Sequence, residues 1–333
     1  MMDVAVVGAG SWGTTLSHLL AEHGHRVRIW AREVEVVESI NRERVNSVFL
    51  PDSPLNPAIR ASNEIAETVQ GAEVVVSAAP SHAVRDLTAQ VFAALRGAEP
   101  LVVSVSKGLE TGTLDTMTQV MEQTLPGLAA VALSGPSFAD EVYAKRPTAV
   151  VAAGDDPALT RQAQQVFSTR YLRVYTSRDP LGVQLAGALK NVIAIASGIL
   201  DGLGLGNNAR AALITRGLAE IARLGQSLSC DPMTFAGLAG MGDLILTTSG
   251  AQSRNRSLGV ELATGKSLEQ ILAGRRTVAE GVLTTRAAVV LSERAGVELP
   301  IAQEVGNVLF RQKELNQAIS DLMERELKPE QWS

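Results

Sequence analysis

The feature that most narrows this chain is the run Asp3-Val4-Ala5-Val6-Val7, which leads without interruption into Gly8-Ala9-Gly10-Ser11-Trp12-Gly13. An apolar strand feeding a G-x-G-x-x-G turn is how a dinucleotide-binding unit begins. Gly8 permits the tight turn, Gly10 removes the side chain that would hold a pyrophosphate off the backbone, and Gly13 lets the following helix pack against the strand. The phosphates then rest on a helix N-terminus, where unpaired N–H groups and the positive end of the helix dipole stabilise anionic oxygens. A Gly-rich turn by itself matches such a hexapeptide often. Here an amphipathic stretch from Thr14 to Glu22 and a second strand from Arg26 to Trp30 follow it, which favours dinucleotide binding over an ordinary turn.

Which dinucleotide is read at the end of that second strand, where an acidic residue takes the ribose hydroxyls and a basic one neutralises a 2′-phosphate. The strand ends Trp30-Ala31-Arg32-Glu33. Arg32 points to NADP, and Glu33, at the NAD-like spacing from Gly13, leaves NAD accepted as well. Both residues also suit a solvated helix start.

With 333 residues the chain exceeds the usual size of a single core, so two domains are expected. Valine-rich runs at Glu73 to Ala78, Leu101 to Ser104, Val131 to Leu133, Thr148 to Ala152 and Leu172 to Tyr175 alternate with helical patterns. That alternation predicts an α/β fold, a Rossmann-type doubly wound parallel sheet with helices on both faces. Three prolines between Asn46 and Pro57 mark a loop over the sheet. After about Asp179 only helical patterns remain, so the chain divides near residues 180 to 190, into a dinucleotide-binding domain of 1–185 and an all-helical substrate domain of 186–333. Gly202-Leu203-Gly204-Leu205-Gly206 has no strand before it and reads as a loop between helices.

Composition excludes several classes. A net charge of −5 speaks against nucleic acid or an anionic membrane as partner, so any cluster that attracts phosphate is local. The single Cys230 rules out an internal disulfide, and no Cys/His spacing resembles a metal site. His18, His23, His25 and His82 form no triad pattern and read as structural. The first residues are a strand rather than a signal peptide, and the apolar segment Val192 to Leu200 is shorter than the roughly 20 residues that cross a bilayer. A cytoplasmic protein without membrane insertion is expected.

Chemistry is sought in the helix predicted over Val183 to Asp201, whose Leu185, Leu189, Val192, Ala196 and Ile199 recur at helical spacing, with Ala, Ile and Gly on much of the rest. Lys190 sits in its middle. An ammonium in an apolar surround costs several kcal/mol unless it is paired or its pKa falls. A lysine so tuned exchanges a proton with a substrate hydroxyl near neutral pH, whereas a lysine at the helix edge would simply snorkel to water. Ser104-Val105-Ser106-Lys107-Gly108 lies past the carboxyl end of a predicted strand, where open α/β sheets bind their ligands, which makes Lys107 a candidate site cation. Gly240-Met241-Gly242-Asp243 precedes Ser253-Arg254-Asn255-Arg256, a cluster of donors at a helix start. Alone, that cluster is equally a solvated helix start. Together with two lysines it favours a small phosphorylated substrate.

With these residues in hand, the whole chain resembles the bacterial NAD(P)-dependent glycerol-3-phosphate dehydrogenases. The resemblance rests on the Gly8 to Gly13 turn, Ser106-Lys107-Gly108, Leu133-Ser134-Gly135-Pro136-Ser137-Phe138-Ala139, Ala188-Leu189-Lys190-Asn191-Val192, Gly242-Asp243-Leu244, Ser253-Arg254-Asn255-Arg256 and Val278-Ala279-Glu280-Gly281. It implies reduction of dihydroxyacetone phosphate to sn-glycerol 3-phosphate for glycerophospholipid synthesis, a helical C-terminal domain like that of 6-phosphogluconate dehydrogenase, and a homodimer. By the same resemblance Lys190 donates the proton to the carbonyl. Lys107, Gly135, Ser137, Lys190, Asp243, Ser253, Arg254 and Asn255 surround the substrate. Gly8, Gly10, Ser11, Trp12, Gly13, Arg32, Lys107, Ala139, Arg254, Val278 and Glu280 form the cofactor site. Gln184 and Ala186, where Glu and Gly are expected, and Thr248, where a cysteine is common, depart from the pattern without touching a proposed role. A β-hydroxyacid dehydrogenase and a non-catalytic NADP-sensing module are the alternatives.

Overall fold

The computed structural model describes residues 1–274, 280–327 and 329–330. Eight strands form one sheet: β1 (Asp3–Val7), β2 (Arg26–Trp30), β3 (Arg60–Ser62), β4 (Val74–Ser77), β5 (Leu101–Ser104), β6 (Ala130–Ser134), β7 (Thr148–Ala153) and β8 (Leu172–Ser177), in the order β3-β2-β1-β4-β5-β6-β7-β8. The sheet is covered on both faces. Val4 and Val6 of β1 join one apolar cluster and Ala5 and Val7 join another, as the two-residue period of a strand requires. Central strands β4, β5 and β6 are buried at every position, which explains their unbroken apolar sequence.

Two features depart from the expected sheet. β6 pairs antiparallel with β7, after which β7 and β8 run parallel to each other. A parallel return needs a long crossover. Between β6 and β7 there is room only for a one-turn helix, Ala139–Tyr143, so the chain comes straight back along its neighbour. The edge strand β3 escapes a sequence reading because Arg60-Ala61-Ser62 is three residues long and mostly polar.

Helix α1 (Ser11–Glu22) follows the glycine turn and α2 (Ala139–Tyr143) packs beside it. Among the described residues every element after Ser177 is helical. The centre of this half is α3 (Pro180–Gly202). Its start is fixed by Pro180 in the first turn and by the Asp179 side chain, which accepts from the Gly182 N–H at 2.8 Å. At 23 residues α3 is long and apolar enough to cross a membrane, so the sequence argument from a short segment does not hold. Its place in the fold is what identifies it: 94% of its most apolar window is buried against protein. Around α3 lie α4 (Gly206–Ser227), α5 (Asp243–Ser249), α6 (Arg254–Ala263), α7 (Glu280–Ala295) and α8 (Pro300–Arg311). Where α6 crosses α3 the backbones touch: a Cβ on Gly198 would lie 2.0 Å from the Arg256 carbonyl oxygen, and one on Gly259 would lie 2.1 Å from that of Ile195.

Candidate active site

The glycine turn has the shape its sequence demands. Gly8 has φ +119°, and a Cβ there would sit 2.7 Å from the Ala78 carbonyl oxygen. A Cβ on Gly13 would lie 2.0 Å from the Gly8 carbonyl oxygen, so only glycine lets α1 approach β1 this closely. At Gly10, by contrast, a Cβ would meet nothing within 4 Å among the described residues. Among these residues no side chain caps α1. An open approach at Gly10 to uncapped helix amides fits a pyrophosphate group. Ser11 donates its hydroxyl to the Phe49 carbonyl at 2.7 Å, and Trp12 packs half-buried on the sheet core. Arg32, its side chain 81% exposed, reaches back to Glu33 through Nε at 3.0 Å and Nη2 at 2.7 Å.

Past the carboxyl ends of the central strands the loops after β5 and β6 converge. Ser106 donates to the Ala79 carbonyl at 2.6 Å and so sets the course of Lys107-Gly108 beyond β5. Gly135, just after β6, has φ +141°, and a Cβ there would lie 2.9 Å from Val150 Cα. Its carbonyl accepts from Ser137 Oγ at 3.1 Å and from Lys107 Nζ at 3.0 Å. Ala139 opens α2, and its carbonyl accepts from Thr15 Oγ1 at 3.3 Å.

Lys190 is buried in the middle of α3, as the apolar periodicity predicts, and does not snorkel to water. It donates to Asp243 Oδ1 at 2.5 Å and to Thr247 Oγ1 at 2.6 Å. The other oxygen of Asp243 accepts from Lys107 Nζ at 2.6 Å. One carboxylate, 1% exposed, therefore stands between two ammonium groups, one from the sheet loops and one from the helical half. Burial pushes the Lys190 amine down to about 7; the Lys107 charge adds to the fall and Asp243 opposes it. For Asp243 burial acts upward, but the two lysines outweigh it and hold its carboxyl below the usual range. Thr247 escaped the sequence reading. It sits one turn after Asp243 on α5, and that i+4 spacing was the available signal.

Ser253-Arg254-Asn255-Arg256 is a helix start, as its composition suggests, but its donors are not all turned outward. Ser253 caps α6 by accepting from the Arg256 N–H at 3.3 Å. Arg256 pairs through Nε with Asp201 Oδ2 at 2.6 Å, and Arg210 holds the other oxygen of Asp201. The buried Asn255 donates to Asn191 Oδ1 at 2.9 Å and accepts from the Gly281 N–H at 3.0 Å, so it ties α6 to α3 and α7. Arg254 is the first residue of α6. Glu280 opens α7, and Val278 lies outside the described residues.

Two family models, described as the N-terminus and the C-terminus of NAD-dependent glycerol-3-phosphate dehydrogenase, match residues 3–160 and 179–320. The chain belongs to this dehydrogenase family. A glycerol-3-phosphate dehydrogenase [NAD(P)+] of Geobacter sulfurreducens is 52% identical over 332 residues, 99% of each chain. Among solved structures, glycerol-3-phosphate dehydrogenase from Coxiella burnetii superposes with a TM-score of 0.93 at 35% identity, over 97% of this chain and 99% of that one. The Saccharomyces cerevisiae enzyme follows at 0.80 and 27%, with the same coverage. D-mandelate dehydrogenase, at 14% identity and a TM-score of 0.63, shares the fold alone.

Proposed function

We propose that this dehydrogenase reduces dihydroxyacetone phosphate to sn-glycerol 3-phosphate with NAD(P)H and so supplies glycerophospholipid synthesis. The observation that carries the assignment of roles is the buried Lys190, which shares Asp243 with Lys107 at the carboxyl edge of the sheet. Bound NAD(P)H supplies a hydride to C2 of the ketone. As the carbonyl oxygen gains charge, Lys190 passes it a proton, so hydride and proton together give the alcohol and leave a neutral amine. An amine tuned to about 7 holds that proton at neutral pH and still releases it readily. Asp243 orients the amine, Thr247 fixes it from a second side, and Lys107 keeps the carboxylate from neutralising Lys190 alone. Lys107, Gly135, Ser137, Ser253, Arg254 and Asn255 would surround the rest of the substrate, whose phosphate contributes binding energy away from the reacting carbon.

The same scheme gives Gly8, Gly10, Ser11, Trp12, Gly13, Arg32, Lys107, Ala139, Arg254, Val278 and Glu280 to the dinucleotide. Arg32 favours NADP, with NAD also accepted. Residues 1–185 would act as the cofactor lobe and 186–333 as the catalytic lobe, in a cytoplasmic homodimer. The deciding assay follows loss of the nicotinamide band with dihydroxyacetone phosphate, run in parallel with NADPH and NADH. Faster turnover of small keto acids would favour a β-hydroxyacid dehydrogenase, and no oxidation with either cofactor would favour an NADP-sensing module.

A further inference from the structure

We propose that Ser81 is a positioning residue that couples the sheet to the catalytic helix, by seating Glu280 and through it the network behind Lys190. Ser81 begins the single turn Ser81–Ala83 that follows β4 and is buried. Its backbone N–H donates to Glu280 Oε1 at 3.0 Å and its hydroxyl donates to Oε2 at 2.5 Å, so both donors of one residue hold both oxygens of one carboxylate. The partners are 199 residues apart in sequence, one on the sheet edge and one at the start of α7.

From Glu280 the connection continues without a gap. The next residue, Gly281, donates its N–H to Asn255 Oδ1 at 3.0 Å, and Asn255 donates to Asn191 Oδ1 at 2.9 Å, beside Lys190. Gly281 leaves no slack, since a Cβ there would lie 2.7 Å from Asn255 Oδ1 and 3.0 Å from the Asn191 carbonyl oxygen. The other lysine is tied to the same point. Gly108, directly after Lys107, lies so close that a Cβ would fall 2.6 Å from Ser81 Cβ and 3.0 Å from Glu280 Oε2. Gly108 after Lys107 thus packs directly on Ser81, and Asn191 after Lys190 is joined to it through Asn255, Gly281 and Glu280. A half-buried carboxylate needs fixed donors, and a carboxylate held before ligand arrives costs less ordering when it binds.

The proposal deepens the functional reading above, on which it rests for the roles of Lys190 and Glu280. It is tested in the full-length protein with Ser81→Ala, Glu280→Gln and the double variant. NADPH affinity is read by nicotinamide fluorescence, and kcat is read at saturating substrates. Removing the hydroxyl is expected to weaken NADPH binding and lower kcat by about tenfold each. In the Glu280→Gln background the same change is expected to add no more than about twofold. Equal effects of Ser81→Ala in both backgrounds, or none on NADPH affinity, would overturn the proposal. Ser81→Gly, which keeps the N–H and removes the hydroxyl, serves if the alanine variant does not fold. Failure of the wild type to reduce dihydroxyacetone phosphate would instead sink the functional assignment, while the NADPH-binding cycle still reads the Ser81–Glu280 coupling.

Discussion

Among the described residues, the helical half contains two buried carboxylates of opposite behaviour. Asp243, 1% exposed, sits between two lysines and is held below the ordinary range. Glu220 on α4, 5% exposed, accepts two backbone N–H bonds in the first turn of α8, from Ile301 at 2.8 Å and Ala302 at 3.4 Å. Burial pushes it up to about 7, against those two amides and the more remote charges of Arg223 and Arg325. Two amide dipoles do not replace the water a carboxylate loses; two full positive charges do. The site and its scaffold thus bury the same chemical group for different ends. One keeps a charge for use, and the other spends it on capping a helix.

The largest effect that would sharpen this contrast is expected from Lys190→Ala. Turnover should fall by about 10²- to 10⁴-fold with NADPH affinity unchanged, measured by steady-state kinetics beside fluorescence titration. Affinity falling in step with turnover would make the lysine part of the scaffold. Asp243→Asn should come next. The wild-type reduction rate is expected to fall as pH rises through about 7, as Lys190 loses its proton. Without Asp243 the amine loses the one group that raises its pKa, so this limb should move to lower pH and turnover at pH 7 should drop by about 10²-fold. An unmoved limb would mean that Asp243 does not tune the amine.

Glu220 predicts a change in stability, with the opposite sign to that of Asp243. Its folded pKa is raised from 4.5 to about 7, so its contribution is fully present below 4.5 and is lost as pH rises through about 7. Asp243, with its pKa depressed, contributes above 3.8 and loses that contribution as pH falls through its folded value. Glu220→Gln should therefore flatten the fall in unfolding free energy between pH 4.5 and 7 by roughly 3 kcal/mol, read by denaturant titration at several pH values. A slope unchanged by the substitution would break the comparison. The smallest effect belongs to Thr247→Val, which removes one hydrogen bond to the Lys190 ammonium and should cost about tenfold in kcat with little change in KM.

Much of this was legible in the sequence because it rests on local pattern. The glycine turn needs only its own backbone and the strand before it, and an apolar period running through Lys190 declares a buried amine whatever lies opposite. The sheet carries the same lesson, since β4, β5 and β6 announce themselves by being buried on both faces. What stayed hidden depends on partners far away in the chain. Nothing in Ser81-His82-Ala83 hints that residue 280 will meet it, and an Asn at a helix start gives no sign that Asn191 and Gly281 will be its partners. The reversal between β6 and β7 was missed for a different reason, because valine-rich strands look alike whichever way they run.

The crossing of α3 and α6 has a consequence for what the protein can learn to accept. At Gly198 and Gly259 main chain rests on main chain, so no rotamer is available to absorb strain. The separation between Lys190 on one helix and the residues that open the other is therefore set by main chain. In the substrate site proposed above, that separation acts as a rigid gauge, and a taste for longer molecules would have to come from rebuilding it.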